Sequence, residues 1–181
     1  MMQQASSERL KASEELEAMR TEQNGIIGRR LFVAGCVASL CPTVSFSASP
    51  DISNLIAAMT DNARVQVGIN QLNNSPQLNR AAEKFAVILS RKGELSHTAD
   101  GKTLAKRAMS TNYQFLTLAE NIGWTSKTEL PHDIASDLVR RWLASRGHRA
   151  NMLNRKFNDI GVGVSQTSGR TYAVQIFGTR V

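Results

Sequence analysis

The sequence predicts an α+β sandwich, and three observations carry the prediction. Apolar residues recur at helical spacing in separate stretches between Asp51 and Leu143. The chain then changes period: Asp159 to Ser165 and Thr171 to Gly178 alternate apolar with small or polar residues, and Ser168-Gly169 between them is a two-residue turn signal. Helices come first and a β-hairpin last, which sets helices against a small antiparallel sheet.

Taken in order, Asp51 can cap a helix carrying Ile52, Leu55, Ile56 and Met59, whose pattern runs on to about Val67. Asn70 to Ser75 reads as loop. Ser75-Pro76 places a capping hydroxyl before a first-turn proline, and Leu78, Ala81, Ala82, Phe85, Ala86 and Leu89 line one face until Gly93 stops the helix. Ser96 to Gly101 is a polar loop, Thr103 to Met109 a short helix, and Leu118 to Trp124 a candidate third strand with Glu120 inside it. After a Thr125 to Pro131 loop, Ile134, Leu138 and Trp142, flanked by Ala135, Val139 and Leu143, make another apolar helix face. Gly147 is expected to end that helix as a left-handed C-cap, holding His148 beside a turn and off the helix barrel.

With 181 residues, 41% of them apolar and 20% charged, the chain has room for one domain and an appendage. Residues 1–28 form a polar leader. Arg29-Arg30 then precedes an apolar run from Leu31 to Phe46, broken by Pro42 and followed by Ser47, Ala48 and Ser49. A basic pair, a short apolar stretch and a small-residue exit are the parts of an export signal, assigned to residues 29–48, and Arg29-Arg30-Leu31-Phe32 resembles a twin-arginine signal. The run is shorter than the roughly 20 residues of a spanning helix, which argues against a permanent anchor. The leader exceeds the usual length, and a start at Met19 would shorten it; Val33-Ala34-Gly35-Cys36 sits too close to Arg30 for a lipoprotein cleavage box. The folded domain is thus expected over residues 49–181, in the periplasm or outside the cell.

Both cysteines, Cys36 and Cys41, lie in the apolar run, so the domain has no disulfide framework, Cys-based zinc site or thiol nucleophile. The first 47 residues hold five basic and five acidic side chains, so the whole net charge of +7 belongs to the domain. Positive charge favours anionic neighbours, and export excludes nucleic acid. The densest basic region, from Arg140 to Lys156, is either a solvated face or an electrostatic dock for anionic lipid or wall polymer, with Arg146 and Arg149 as its candidate contacts and a transient membrane-surface contact as its consequence.

The order of short motifs carries a resemblance. Arg64, Gly68 and Leu72 come first, then Leu78 with Ala81 and Ala86, Ser96-His97, Gly101 with Arg107, and Glu120-Asn121-Ile122. Trp142 and Ser145 follow, then Gly147-His148-Arg149 with Asn151, Ile160-Gly161-Val162-Gly163, and Gln175 with Phe177-Gly178. In this order the chain, from about Asp51 to Phe177, resembles the CAP superfamily of cysteine-rich secretory, antigen 5 and pathogenesis-related proteins (the SCP domain), in its bacterial secreted branch. The resemblance implies a three-layer α-β-α sandwich with a cleft lined by two histidines and two acidic residues. His97, Glu120 and His148 match three of those positions, and Ser145 stands at the fourth, where many members carry glutamate.

His97, His148 and Glu120 are therefore the candidate metal ligands, for a weakly held Zn2+ that the protein does not require, and also the candidate acid/base set. Ser145, Asn121 and Trp142 are candidate cleft residues. Ser96 and Ser145 carry no sign of an activated nucleophile. A structural role stays open beside these: Glu120 accepting hydrogen bonds from both imidazoles, Asn121 securing a loop, Arg107 as a carboxylate partner or solvated charge, and Trp124 and Trp142 as core or cleft wall. Three functions follow. The first is a protein with no demonstrated need for catalysis that binds a small apolar or lipidic ligand, or an envelope component, near the cleft, by analogy with relatives that bind sterols and fatty acids. The others are a hydrolase using metal or the His/Glu set, and a protein interaction module.

Overall fold

The computed structural model describes residues 51–126, 130–167 and 169–181; the expected leader, export signal, Met19 start, both cysteines and Ser168 of the turn lie outside the described residues. Helix α1 (Ile52–Gln66) begins where Asp51 accepts a hydrogen bond from the Ser53 amide, and it buries Ile52, Ile56, Thr60 and Arg64, one residue per turn. Helix α2 (Pro76–Lys92) starts at the Ser75 cap and ends at Gly93, whose φ of 69° is the left-handed stop expected of it. Helix α3 (Leu104–Met109) is capped by Thr103. Helix α4 (Pro131–Ala144) presents Ile134, Ala135, Leu138, Val139 and Trp142 to the core.

Among the described residues the sheet has four strands in the order β1-β3-β4-β2, comprising β1 (Asn73–Asn74), β2 (Phe115–Thr125), β3 (Asp159–Thr167) and β4 (Arg170–Arg180). The expected hairpin is β3–β4, turning through Gly169 at φ 89°, and the candidate third strand pairs antiparallel with β4, setting Glu120 opposite Ile176 and Asn121 opposite Gln175. The sheet is not wholly antiparallel, however. β1, expected as loop, runs parallel to β3, with Asn73 opposite Asp159. Two residues are too few to show an alternating pattern, and their pairing is set by where the chain passes β3 before entering α2.

Gly147 also departs from expectation. The break after α4 is made by the extended backbone of Ser145 (φ −88°, ψ 124°), and Gly147 lies inside a further helix, α5 (Arg146–Met152), without positive φ. His148 consequently sits in the first turn of a helix.

Two apolar layers flank the sheet, as the three-layer sandwich requires. One, including Ile56, Leu138, Trp142, Met152, Ile160 and Phe177, lies under α1, α4 and α5; the other, including Leu78, Phe85, Leu89, Tyr172, Val174 and Ile176, lies under α2 and α3. The buried Arg64 guanidinium ties the first layer's loops together by donating to the carbonyls of Asn70, Met152, Asn154 and Phe157 at 2.8 to 3.3 Å. Among the described residues this leaves β2 as an edge strand, and the motif residues Glu120-Asn121-Ile122 lie on it.

Candidate functional site

The site is built outward from Glu120, a carboxylate in β2 whose side chain is only 3% exposed. A buried charge of this kind persists only when paired. Arg107, projecting from α3, donates from one terminal nitrogen to both carboxylate oxygens, at 3.0 and 2.8 Å. Its other terminal nitrogen reaches Asp100 at 3.0 Å and the carbonyls of His97 and Lys102 at 3.1 Å, while the guanidinium lies 3.7 Å over the Phe85 ring. Of the alternatives open for Arg107, carboxylate partner is the one adopted.

His97, in the loop after α2, places Nδ1 2.8 Å from Glu120 Oε1. An ionised carboxylate only accepts, so the contact favours the Nδ1–H tautomer and leaves Nε2 with a free lone pair on a side chain that is 57% exposed. His148 does not join Glu120, contrary to the expectation that both imidazoles would. Arg107 and His97 are the side chains that pair with the Glu120 carboxylate. The His148 ring lies close enough to His97 to feel its charge: burial, and then the neighbouring His97, lower its pKa from the usual 6.5.

Asn121, next along β2, is fully buried and faces the other layer. Its amide nitrogen donates to the His148 carbonyl and to Gln175 Oε1, both at 3.1 Å, and its oxygen accepts from Asn151 at 2.9 Å. Gln175 in turn donates to Thr60 on α1 at 2.7 Å. The result is a buried amide chain from α1 through the sheet to α5, in which Asn121 secures the segment bearing His148. Nothing in the sequence around Thr60 or Gln175 marks them as site residues; the register of Gln175 opposite Asn121 exists only once β2 and β4 are paired.

Beside this network a cleft of about 240 Å³ opens at the free edge of β2, lined by Leu95, Ile122, Gly123, Trp124, Leu138, Arg141, Trp142, Ser145 and His148. Trp142 Nε1 donates to the Ile122 carbonyl at 3.1 Å and Arg141 to the Trp124 carbonyl at 2.9 Å, so α4 satisfies strand-edge groups that would otherwise face the cleft unpaired. Of the three candidate cleft residues, Ser145 and Trp142 stand in the wall of this cleft, while Asn121 does not line it. Arg146 and Arg149, the expected anionic contacts, are exposed on α5 and do not line it; Arg141 does, and Arg170 covers the Trp124 ring at 4.4 Å. Ile122 and Trp124 could have been anticipated, because they follow Glu120 at the two-residue period of a strand.

The expected metal set does not fit. Among the described residues, no three His, Cys, Asp or Glu side chains are grouped to hold a metal ion. Glu120 is committed to Arg107 and His97, and a guanidinium 2.8 Å from its oxygen would repel a dication. Ser145 adds only a neutral hydroxyl. Among the described residues neither Ser96 nor Ser145 has an imidazole hydrogen-bond partner, and Ser96 Oγ pairs with Thr98.

The lowered His148 pKa has a measurable consequence. In the unfolded chain the ring titrates near 6.5, whereas in the fold it protonates only at lower pH. At higher pH both states are neutral and nothing is lost. As pH falls through about 6.5, the unfolded state binds the proton first and the fold loses stability, until the folded ring also protonates. Thermal unfolding between pH about 8 and 5 should show a falling Tm that His148→Gln partly flattens. Parallel curves for the two proteins would contradict the assigned surroundings of His148.

Comparison with known proteins agrees with this architecture. The sequence pattern of the cysteine-rich secretory protein family, CAP, matches residues 57–177. The protein YkwD of Bacillus subtilis (strain 168) is 27% identical over 124 residues, covering 68% of this chain and 46% of YkwD. Among solved structures, an extracellular protein containing a SCP domain from Bacillus anthracis str. Ames is 25% identical with a TM-score of 0.63, covering 71% of this chain and 40% of that one. An outer surface protein from Borrelia burgdorferi shares the fold at 21% identity and the same TM-score of 0.63, covering 72% of this chain and 93% of its own. The chain thus spans less than half the length of the two Bacillus proteins. With the family pattern spanning most of the described residues and the sandwich and its motif residues in place, the chain belongs to the cysteine-rich secretory protein (CAP) family.

Proposed function

We propose that this protein is exported and binds a small apolar or lipidic ligand, or the apolar end of a larger envelope component, in the cleft at the free edge of β2. The observation that carries this reading is the lining: Leu95, Ile122, Gly123, Trp124, Leu138 and Trp142 form an apolar wall, with Arg141, Ser145 and His148 as the polar remainder. That is the make-up of a small-molecule site, mostly apolar with a few polar groups to orient the ligand. At about 240 Å³ the cleft falls below the roughly 300 to 1,000 Å³ of drug-sized pockets, so it suits one ring or a short chain segment. Export is supported by the description of the Bacillus anthracis relative as extracellular and by the basic, apolar and small-residue order of residues 29–48. Among the described residues, no helix is long and apolar enough to cross a membrane.

The protein has two tryptophans, and both line this cleft. Intrinsic fluorescence therefore reads it directly. A series of straight-chain alcohols should shift the tryptophan emission saturably, and Leu95→Glu, which puts a charge at an exposed position of the wall, should weaken the response about tenfold. Emission that never responds, or a response untouched by Leu95→Glu, would overturn the reading.

A second reading, acid/base hydrolysis, is favoured by one contact. Glu120 orients His97 and leaves Nε2 open to take a proton from water. An ester hydrolysis that disappears in His97→Gln, with the unfolding midpoint retained, would support it; hydrolysis that persists would assign the activity elsewhere.

A further inference from the structure

The end of the sheet opposite the β3–β4 turn carries a groove that shares no residue with the His148 cleft. Three pockets of about 280, 340 and 200 Å³ follow one another there. Asn73 and Asn158 line both the first and the second, and Arg180 lines both the second and the third, so the three join into one depression. Strand pairing explains the row. Asn73 in β1 lies opposite Asp159 at the start of β3, Asp159 lies opposite Gly178 near the end of β4, and Phe115 at the start of β2 lies opposite Arg180. The groove therefore crosses the four described strands, about 14 Å from β1 to β2 at a strand spacing near 4.8 Å. The segments that enter β1 and β2 lengthen it, with Asn70 and Gln71 at one end and Asn112 and Gln114 at the other.

Its surface is made of amides. Asn70, Gln71, Asn73, Asn112, Gln114 and Asn158 are all exposed, and among the described residues only Asn73 of these six uses its side chain in a hydrogen bond, a long one of 3.4 Å to Asp159. The lining offers no carboxylate, because Asp159 is 3% exposed and accepts from Tyr113 and Arg180. Val181 is the one exposed apolar residue in it, since Ile69 and Phe157 are buried. Two guanidiniums complete the surface: exposed Arg155, which donates to the Gly68 carbonyl at 3.2 Å, and Arg180, whose side chain is 55% exposed. A single exposed amide is satisfied by water and means nothing. Six along one concave row present a donor and an acceptor at every step. A small anion would use the arginines and leave the amides idle, an apolar body would find no floor, and an extended peptide would lack pockets for its alternate side chains. A chain of hexoses matches, because its hydroxyl and acetamido groups also donate and accept, and each β-linked ring advances by nearly one strand spacing.

We propose that this groove binds a β-linked glycan chain of N-acetylated hexoses, laid across the ends of the strands, with its hydroxyl and acetamido groups paired to the six amides and its oxygens accepting from Arg155 and Arg180. The groove contains no tryptophan, so it stands or falls independently of the fluorescence response described above.

Titration of the isotope-labelled full chain with the β-1,4-linked tetrasaccharide of N-acetylglucosamine, followed by the side-chain amide resonances, tests this. Those of Asn70, Asn158 and Gln114 are expected to shift saturably, and the monosaccharide should bind at least about tenfold more weakly, because later rings bind without a new association step. Asn158→Asp with Gln114→Glu keeps side-chain size but removes two donors, and should weaken the tetrasaccharide about tenfold or more. Asn70→Asp, at the other end, should weaken it in the same direction, and all three changes, being exposed, should leave the unfolding midpoint in place. Arg141→Glu, in the His148 cleft, should leave binding within about twofold. No shift with the tetrasaccharide, equal binding of the monosaccharide or of a Gly-Ser peptide, indifference to the variants at either end, or a loss that follows Arg141→Glu would each overturn the assignment.

Discussion

Gly163→Ala is expected to cost about 3 kcal/mol or more, a large share of the total stability of a domain, which is on the order of 5 to 15 kcal/mol. A Cβ on Gly163 would land on the backbone of α2, overlapping the Glu83 nitrogen and the Ala82 carbonyl carbon, and one on Gly161 would meet the Leu78 carbonyl carbon and the Asn79 nitrogen. Two strand residues advance about 6.6 Å and one helical turn of four residues about 6 Å, so the two glycines keep step with Leu78 and Ala82 along the helix. That match lets α2 lie directly on β3. It also means that neither contact can relax alone, because the obstacle is helix backbone and cannot rotate away as a side chain can. Urea unfolding measures the effect. Gly147→Ala is the contrast: that glycine sits inside α5 with open space where the Cβ would go, and alanine should stabilise by about 0.5 to 1 kcal/mol. A Gly163→Ala protein unfolding within 1 kcal/mol of the parent would mean that α2 does not ride on the strand as described.

Arg107→Met should destabilise by about 3 to 5 kcal/mol, because it strips the cation from two carboxylates whose side chains are 3% and 7% exposed while keeping the volume against Phe85. His97 alone would then face Glu120. The larger share of the cost is the stranded charge, so adding Glu120→Gln to Arg107→Met should recover more than about 1 kcal/mol, a coupling that a double-mutant cycle isolates. A cost below about 1 kcal/mol for Arg107→Met, or no recovery on adding Glu120→Gln, would show that water screens this cluster.

These two sites also mark how far reading from residues reached. Helix α2 was legible from end to end because its cap, its proline, its apolar stripe and its terminal glycine all act within one or two turns of each other. The β3–β4 hairpin was legible for the same reason, as was Glu120 within an alternating strand. His97, Glu120 and His148 were recognised as members of one region through motif order. Their actual pairing was not, because the His97–Glu120 contact spans 23 residues and the Asn121–Gln175 contact spans 54. Gly147 shows the limit at short range: its type announced a chain break, but the break was made at Ser145, whose extended backbone nothing in its own neighbourhood requires.

By itself the sequence determined the elements, the order of helices and hairpin, the absence of cysteine chemistry from the domain, and the strand that carries Glu120, since each of these depends on near neighbours or on composition. Tertiary packing alone decided that Arg107 and not His148 completes the Glu120 pair, that Arg141 and not Arg146 or Arg149 enters the cleft, and that amides from separate segments line one groove across the end of the sheet. Local propensity acts over a helical turn or a strand pair, whereas which buried charge meets which partner is settled by the approach of whole layers across the sheet.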